Sequence, residues 1–89
     1  MKTTEELIKD VGREVVMLLI EKNKAYGDTA NHPPQIFSKL SAKEAILARI
    51  DDKLSRIKMR GINDKTEDTL KDLIGYLILL KVQLNKENK

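Results

Sequence analysis

The 89-residue chain has no cysteine and no tryptophan, and its only aromatic residues are Tyr26, Phe37 and Tyr76. Without cysteine there is neither a disulfide framework nor a thiolate metal site, which fits a reducing compartment, so the chain reads as cytoplasmic. With three aromatics, base stacking along a nucleic-acid strand is poorly supplied, and a nucleic-acid partner is not expected. Long apolar runs are missing too. Val15 to Ile20 and Leu73 to Leu80 are too short to span a bilayer. Met1 to Glu6 is acidic rather than signal-like, so no membrane partner is expected. Charge of one sign is also lacking. Seventeen basic and 14 acidic residues give a net +3, interspersed without a basic tail, which favours a phosphate-bearing small ligand only weakly.

What is present is helical patterning in a single all-α domain, residues 1–89, with a polar tail at 86–89 that should fray. Thr3 followed by Glu6 forms a capping box, opening a first helix that runs to about Lys24 with Leu7, Ile8, Val11, Val15, Leu18 and Leu19 as its inner stripe. Gly27 suits a helix-ending position with positive φ, and Pro33 and Pro34 forbid continuation, so Tyr26 to Pro34 reads as a turn-rich connection. Gln35 to Leu40 suits a short turn pinned by Phe37. Ser41 with Glu44 is a second capping box, and the helix it starts carries Ile46, Leu47, Ile50, Leu54 and Ile57 on one face until Gly61 stops it. Asp64 or Thr66 then caps a third helix reaching about Asn85.

The third helix is apolar nearly all round. Leu70, Leu73, Ile74, Leu77 and Leu84 form its core stripe, while Gly75, Leu79 and Val82 fall on the other side. The first helix repeats the pattern, with Val16, Met17 and Ile20 off its main stripe. Single exposed aliphatics are common, but second apolar faces on two helices favour burial against another copy. The sequence therefore predicts a three-helix unit that assembles into an oligomeric helical bundle, a dimer or higher, with Gly75, Leu79 and Val82 toward the partner.

Several constellations could carry chemistry. Asp68 and Asp72 lie one helical turn apart and could hold a hard cation such as Mg²⁺, although acids in a helix's first turns also complement its dipole. Arg49, Lys53 and Arg56 can make a cationic rail for a di- or triphosphate, or the ordinary solvated face of a helix. Lys22, Lys24, Tyr26, Asn31 and His32 lie in or beside the loop, where binding residues concentrate. Tyr26 can stack a base or pack under the turn, and His32 before the two prolines reads as an exposed loop residue. There is no glycine-rich phosphate loop, no Ser/His/Asp set and no Cys/His metal spacing. Hydrolysis would have to rely on carboxylates and metal-activated water.

Three stretches in order, Lys22-Asn-Lys-Ala-Tyr-Gly27, Arg49-Ile-Asp-Asp-Lys-Leu-Ser-Arg56 and Glu67-Asp-Thr-Leu-Lys-Asp-Leu-Ile-Gly-Tyr-Leu77, resemble the nucleotide modification associated domain family of phages and bacteria. That family is similar in turn to the all-α MazG-like nucleoside triphosphate pyrophosphohydrolases. The resemblance covers roughly Lys22 to Leu80 and implies an oligomeric helical bundle that binds or acts on nucleotides, in the setting of phage nucleotide metabolism. MazG-like enzymes hold Mg²⁺ with an E-x-x-E motif on one helix and E-x-x-D on the next. Here Asp68 and Asp72 resemble the second set with altered spacing, and Asp51 with Asp52 stands in only partly for the first. Ala25 occupies the position where many relatives carry aspartate.

The expectation is a nucleotide-phosphate-binding domain, with Lys22, Lys24, Tyr26, Asn31, Arg49, Lys53 and Arg56 toward the nucleotide and Asp52, Asp68 and Asp72 toward Mg²⁺. Whether the nucleotide is hydrolysed, as by a Mg²⁺-dependent pyrophosphohydrolase, or only sequestered stays open at this level. A structural module whose charged faces meet another protein is the third reading.

Overall fold

The structure is a computed structural model describing every residue except Phe37, Asp64, Thr66, Glu67 and Lys89. The expected pin at Phe37, the alternative caps Asp64 and Thr66, and the first residue of the Glu67 motif lie outside the described residues. Three helices follow one another: α1 (Thr4–Ala25), α2 (Ala42–Arg60) and α3 (Thr69–Glu87). None is long and apolar enough to cross a membrane among the described residues.

Both capping boxes form. The Thr3 hydroxyl accepts from the Glu6 amide at 3.1 Å while Glu6 accepts from the Thr3 amide at 3.3 Å. Ser41 and Glu44 repeat the exchange at 3.2 and 3.4 Å. Each box satisfies donors that a helix start otherwise leaves without partners. The cap of α3 is Asp68, whose carboxylate accepts from the Lys71 amide at 3.0 Å. That corrects the expected start at Asp64 or Thr66. Asp68 is the acidic residue that immediately precedes the helical run, and it takes the capping position outright.

Helix α2 ends at Gly61, which adopts φ 83° and donates its amide to the Ile57 carbonyl at 2.8 Å. After α1, Gly27 and Asp28 both take positive φ, 64° and 60°. The Asp28 carbonyl then accepts from the amides of Asn31 and His32. The described residues between 35 and 40 are non-helical, and the Gln35 side chain donates to the Leu40 carbonyl at 3.1 Å.

Helices α2 and α3 form an antiparallel hairpin. Lys43 at the start of α2 meets Glu87 at the end of α3 at 3.3 Å, and Lys53 farther along α2 meets Asp72 near the start of α3 at 3.2 Å. Ile46 and Ile50 are buried at 3% and 8% exposure, with Thr69 and Gly75 on the α3 side. Helix α1 packs on α3 over a much shorter stretch than α2 does. Val15 is its one buried side chain, at 4%, and Leu19 approaches Gly75 so that a Cβ there would meet its Cδ1 at 3.6 Å.

That short contact corrects two expectations. The N-terminal half of the α1 stripe is uncovered, with Leu7 at 51% and Ile8 at 67% exposure. Periodicity marked it correctly as an apolar face, but α1 meets α3 only farther along. Gly75 packs on α1 of its own chain, whereas Val82, expected on the same face, is exposed. The α3 leucines left exposed are Leu70 and Leu77, both from the expected core stripe.

Candidate functional site

The short contact of α1 with the hairpin leaves a cleft of about 390 Å³. Its apolar floor is made by Val15 and Leu19 of α1, Ile46 of α2, and Gly75 and Leu79 of α3. The loop after α1 closes one side with Thr29, Ala30, Pro33 and Pro34. Around this floor stand Lys22, Arg49, Lys71 and Asp72, together with the rings of Tyr26 and Tyr76. Three cations and one carboxylate thus line a largely apolar space, an arrangement that favours an anionic ligand with a flat, partly apolar body.

Asp72 is the electrostatic centre. One oxygen lies 3.2 Å from the Lys53 ammonium of α2 and the other 3.8 Å from the Lys22 ammonium of α1. All three helices are therefore tied at one carboxylate, which is half-buried and strengthens the pairs relative to open solvent. Asp72 sits in the first turn of α3, where the helix dipole also favours a negative charge.

Lys71, the neighbouring residue and also part of the cleft wall, pairs with other carboxylates. It donates to the Glu14 carboxylate of α1 and lies 3.7 Å from the Asp68 carboxylate. The Lys71 ammonium is held above its ordinary value of 10.5, chiefly by the bond to Glu14. Partial desolvation opposes the rise, and the charges of Glu14 and Asp68 add to it.

Of the residues expected at a nucleotide site, Lys22, Tyr26 and Arg49 line the cleft. Lys53 does not line it but grips Asp72. Lys24 is exposed outside it, and Arg56 is half-buried on α2 beyond its lining. Asn31 works as a brace, its amide donating to Asp28 at 2.8 Å while its oxygen accepts from Gln83 of α3. The loop wall is thereby fastened to the third helix. His32 is exposed, 3.5 Å from Asp28.

The acids expected to hold Mg²⁺ separate. Asp72 reaches the cleft between two lysines, Asp68 is spent on capping α3 and on Lys71, and Asp52 is exposed on α2. Among the described residues, no three acidic or histidine side chains converge as a cation site made by protein alone would require.

Sequence reasoning missed Lys71, Tyr76, Asn23 and Thr29 as cleft residues. Tyr76 had a signal available: it stands one turn beyond Asp72, and i,i+4 neighbours share a helix face. Lys71 had none, because its position depends on where α1 meets α3. No family model, curated protein or solved structure matches the chain, so any functional reading rests on the residues that line this cleft.

Proposed function

We propose that the protein is a nucleotide-phosphate-binding domain whose ligand occupies the cleft between α1 and the α2–α3 hairpin. The observation that carries this reading is the lining itself. Lys22, Arg49 and Lys71 come from three different helices to one cleft that also holds Tyr26 and Tyr76. Cations suit a phosphate group, and an aromatic ring suits a base or ribose. The volume of about 390 Å³ falls within the roughly 300–1,000 Å³ of small-molecule sites. The resemblance of Lys22–Gly27 and of the α2 and α3 motifs to nucleotide-handling proteins points the same way.

Between binding and hydrolysis, the state of Asp72 favours binding. Asp72, the carboxylate among the described residues of the cleft, already pairs with two ammonium groups, so a Mg²⁺ ion would have to enter with the phosphate oxygens and displace at least one lysine from it. Mg²⁺ commonly binds with only one or two carboxylates plus phosphate, and Asp72 is the residue here that would serve it.

The test is a thermal-shift screen of mono-, di- and triphosphate nucleotides with and without Mg²⁺. A ligand at about a hundred times its Kd should add roughly 2.7 kcal/mol. Arg49→Ala and Tyr76→Ala should abolish the shift while retaining helical content. Recovery of unchanged nucleotide after denaturation supports the binding reading. Turnover that requires Mg²⁺ and is lost in Asp72→Asn would replace it with a pyrophosphohydrolase, and no shift with any nucleotide would remove both.

A further inference from the structure

We infer that the cleft takes a ligand carrying a single phosphate group, and that Asp72 is the specificity-determining residue that turns longer phosphate chains away. This rests on the nucleotide-phosphate reading of the same cleft and narrows it to one class, a monophosphate. The starting point is how the positive charge of the lining is already matched. Lys22 lies 3.8 Å from Asp72, whose other oxygen lies 3.2 Å from Lys53. Lys71 is bonded to Glu14 and lies 3.7 Å from Asp68. Arg49, the third cation of the lining, has no carboxylate within ion-pair distance among the described residues.

A phosphate monoester carries a charge of about −1.5 to −2 near neutrality, and a guanidinium binds it with two parallel hydrogen bonds. Arg49 therefore suits one phosphate group. Each further phosphate adds negative charge and has to reach the next cations of the lining, Lys22 or Lys71, and both already face a carboxylate. Asp72 is the firmer obstacle of the two. It is half-buried and tied to α1 and α2 at once, so a ligand that took its lysines would leave a partly desolvated carboxylate without a partner. Glu14 and Asp68 are exposed and give way more easily.

The spacing sets the size of the effect. Arg49 and Lys53 are one helical turn apart on α2, and Lys53 holds the Asp72 carboxylate. A second phosphate extending from Arg49 toward Lys22 thus approaches that carboxylate to within a distance on the order of 6 Å, the rise of four helical residues. Two like unit charges at that distance weaken binding about threefold in water and about a hundredfold at an effective dielectric of 20, so a half-buried carboxylate should discriminate roughly tenfold. The rest of the wall is mostly apolar, with Val15, Ile46 and Leu79 on the floor and Pro33 and Pro34 in the loop. Such a surface suits the body of a nucleoside better than a phosphate chain.

Calorimetric titration with the 5′-mono-, di- and triphosphates of the four common nucleosides tests this, in EDTA so that no Mg²⁺ links phosphate to Asp72. For the nucleoside bound best, the wild type should bind the monophosphate roughly tenfold tighter than the triphosphate. In Asp72→Asn that ratio should fall toward one. Glu14→Gln frees Lys71 of its nearest carboxylate and should move the ratio the same way by less. Glu5→Gln adds the same unit of charge at the exposed start of α1, where Glu5 pairs with Lys9, and should leave the ratio unchanged. Should Asp72→Asn lose its helicity by circular dichroism, the wild-type order and Glu14→Gln decide. A triphosphate bound by the wild type as tightly as its monophosphate, an unchanged ratio in folded Asp72→Asn, an unchanged ratio in Glu14→Gln, or an equal shift in Glu5→Gln overturns the inference and leaves the nucleotide reading standing. Binding of none of these nucleotides removes both.

Discussion

The α2–α3 hairpin and helix α1 use the same ingredients to different ends. Each begins with a capping box and each carries an apolar stripe, yet the hairpin runs its helices side by side and buries Ile46 and Ile50 between them. Helix α1 meets the hairpin between Glu14 and Lys22 and leaves Leu7 and Ile8 in solvent. The difference teaches that amphipathic patterning sets which face a helix would bury, while the length over which helices meet sets how much of that face is used. A contact that runs along both helices buries residues on each and makes a core. A short contact uses a few residues and leaves space beside them, which here is the cleft.

The comparison is broken most sharply by core truncation. Ile50→Ala should cost about 2–5 kcal/mol, close to the whole stability of a small domain. Ile8→Ala, on the exposed half of α1, should change stability by no more than about 0.5 kcal/mol. Urea unfolding followed by circular dichroism measures both. Equal losses would mean that α1 is covered as fully as the hairpin.

Cap removal compares like with like. Ser41→Ala and Thr3→Ala delete the same hydrogen bonds, each worth about 1 kcal/mol. In Ser41→Ala the loss should appear in global unfolding. In Thr3→Ala it should appear as faster amide exchange confined to the first turns of α1, with the hairpin amides unchanged. Protection lost throughout the chain in Thr3→Ala would contradict a separate, lightly held α1.

How much of this could be read from the sequence divides along the same line. Thr3 with Glu6, Ser41 with Glu44, Gly27 and Gly61 are local signals, and each does in the structure what its chemistry implies. Lys22, Tyr26 and Arg49 reach the cleft because they flank the loop and the inner face of α2. Lys71, the packing at Gly75, and the bare half of the α1 stripe were illegible because all three depend on where α1 meets α3, a nonlocal contact that no spacing encodes. The acids show the same limit. Asp68 and Asp72 share a helical turn, yet one became a cap and the other the anchor of two lysines.

The contact itself can be probed at Gly75. Because a Cβ there would make an ordinary 3.6 Å contact with Leu19, Gly75→Ala should stabilise the protein by up to about 1 kcal/mol through helix propensity. A branched residue such as Ile should instead push α1 outward and widen the cleft. A Tm that falls in Gly75→Ala would show that the approach is closer than this geometry.

The smallest effect is electrostatic. Lys71 has a raised pKa in the folded protein, so its contribution is fully present below about 10.5, the value it has when unpaired, and is lost as pH climbs through the higher folded value. The difference in Tm between the wild type and Glu14→Gln should be constant through neutral and mildly alkaline pH and shrink above that point. A difference that vanishes near neutrality would assign the stabilisation to some other group.

The contact between Leu19 and Gly75 also bears on how the protein is born. The two residues are separated by 56 positions in the chain, and at roughly 5–20 residues per second a ribosome needs about 3–11 s to cover that distance. Helix α1 is thus made first and docked last. For those seconds its apolar stripe has no place to settle, and the hairpin made after it closes through a short local connection. The cleft, which needs α1 and α3 together, can close only after residue 75 has been made.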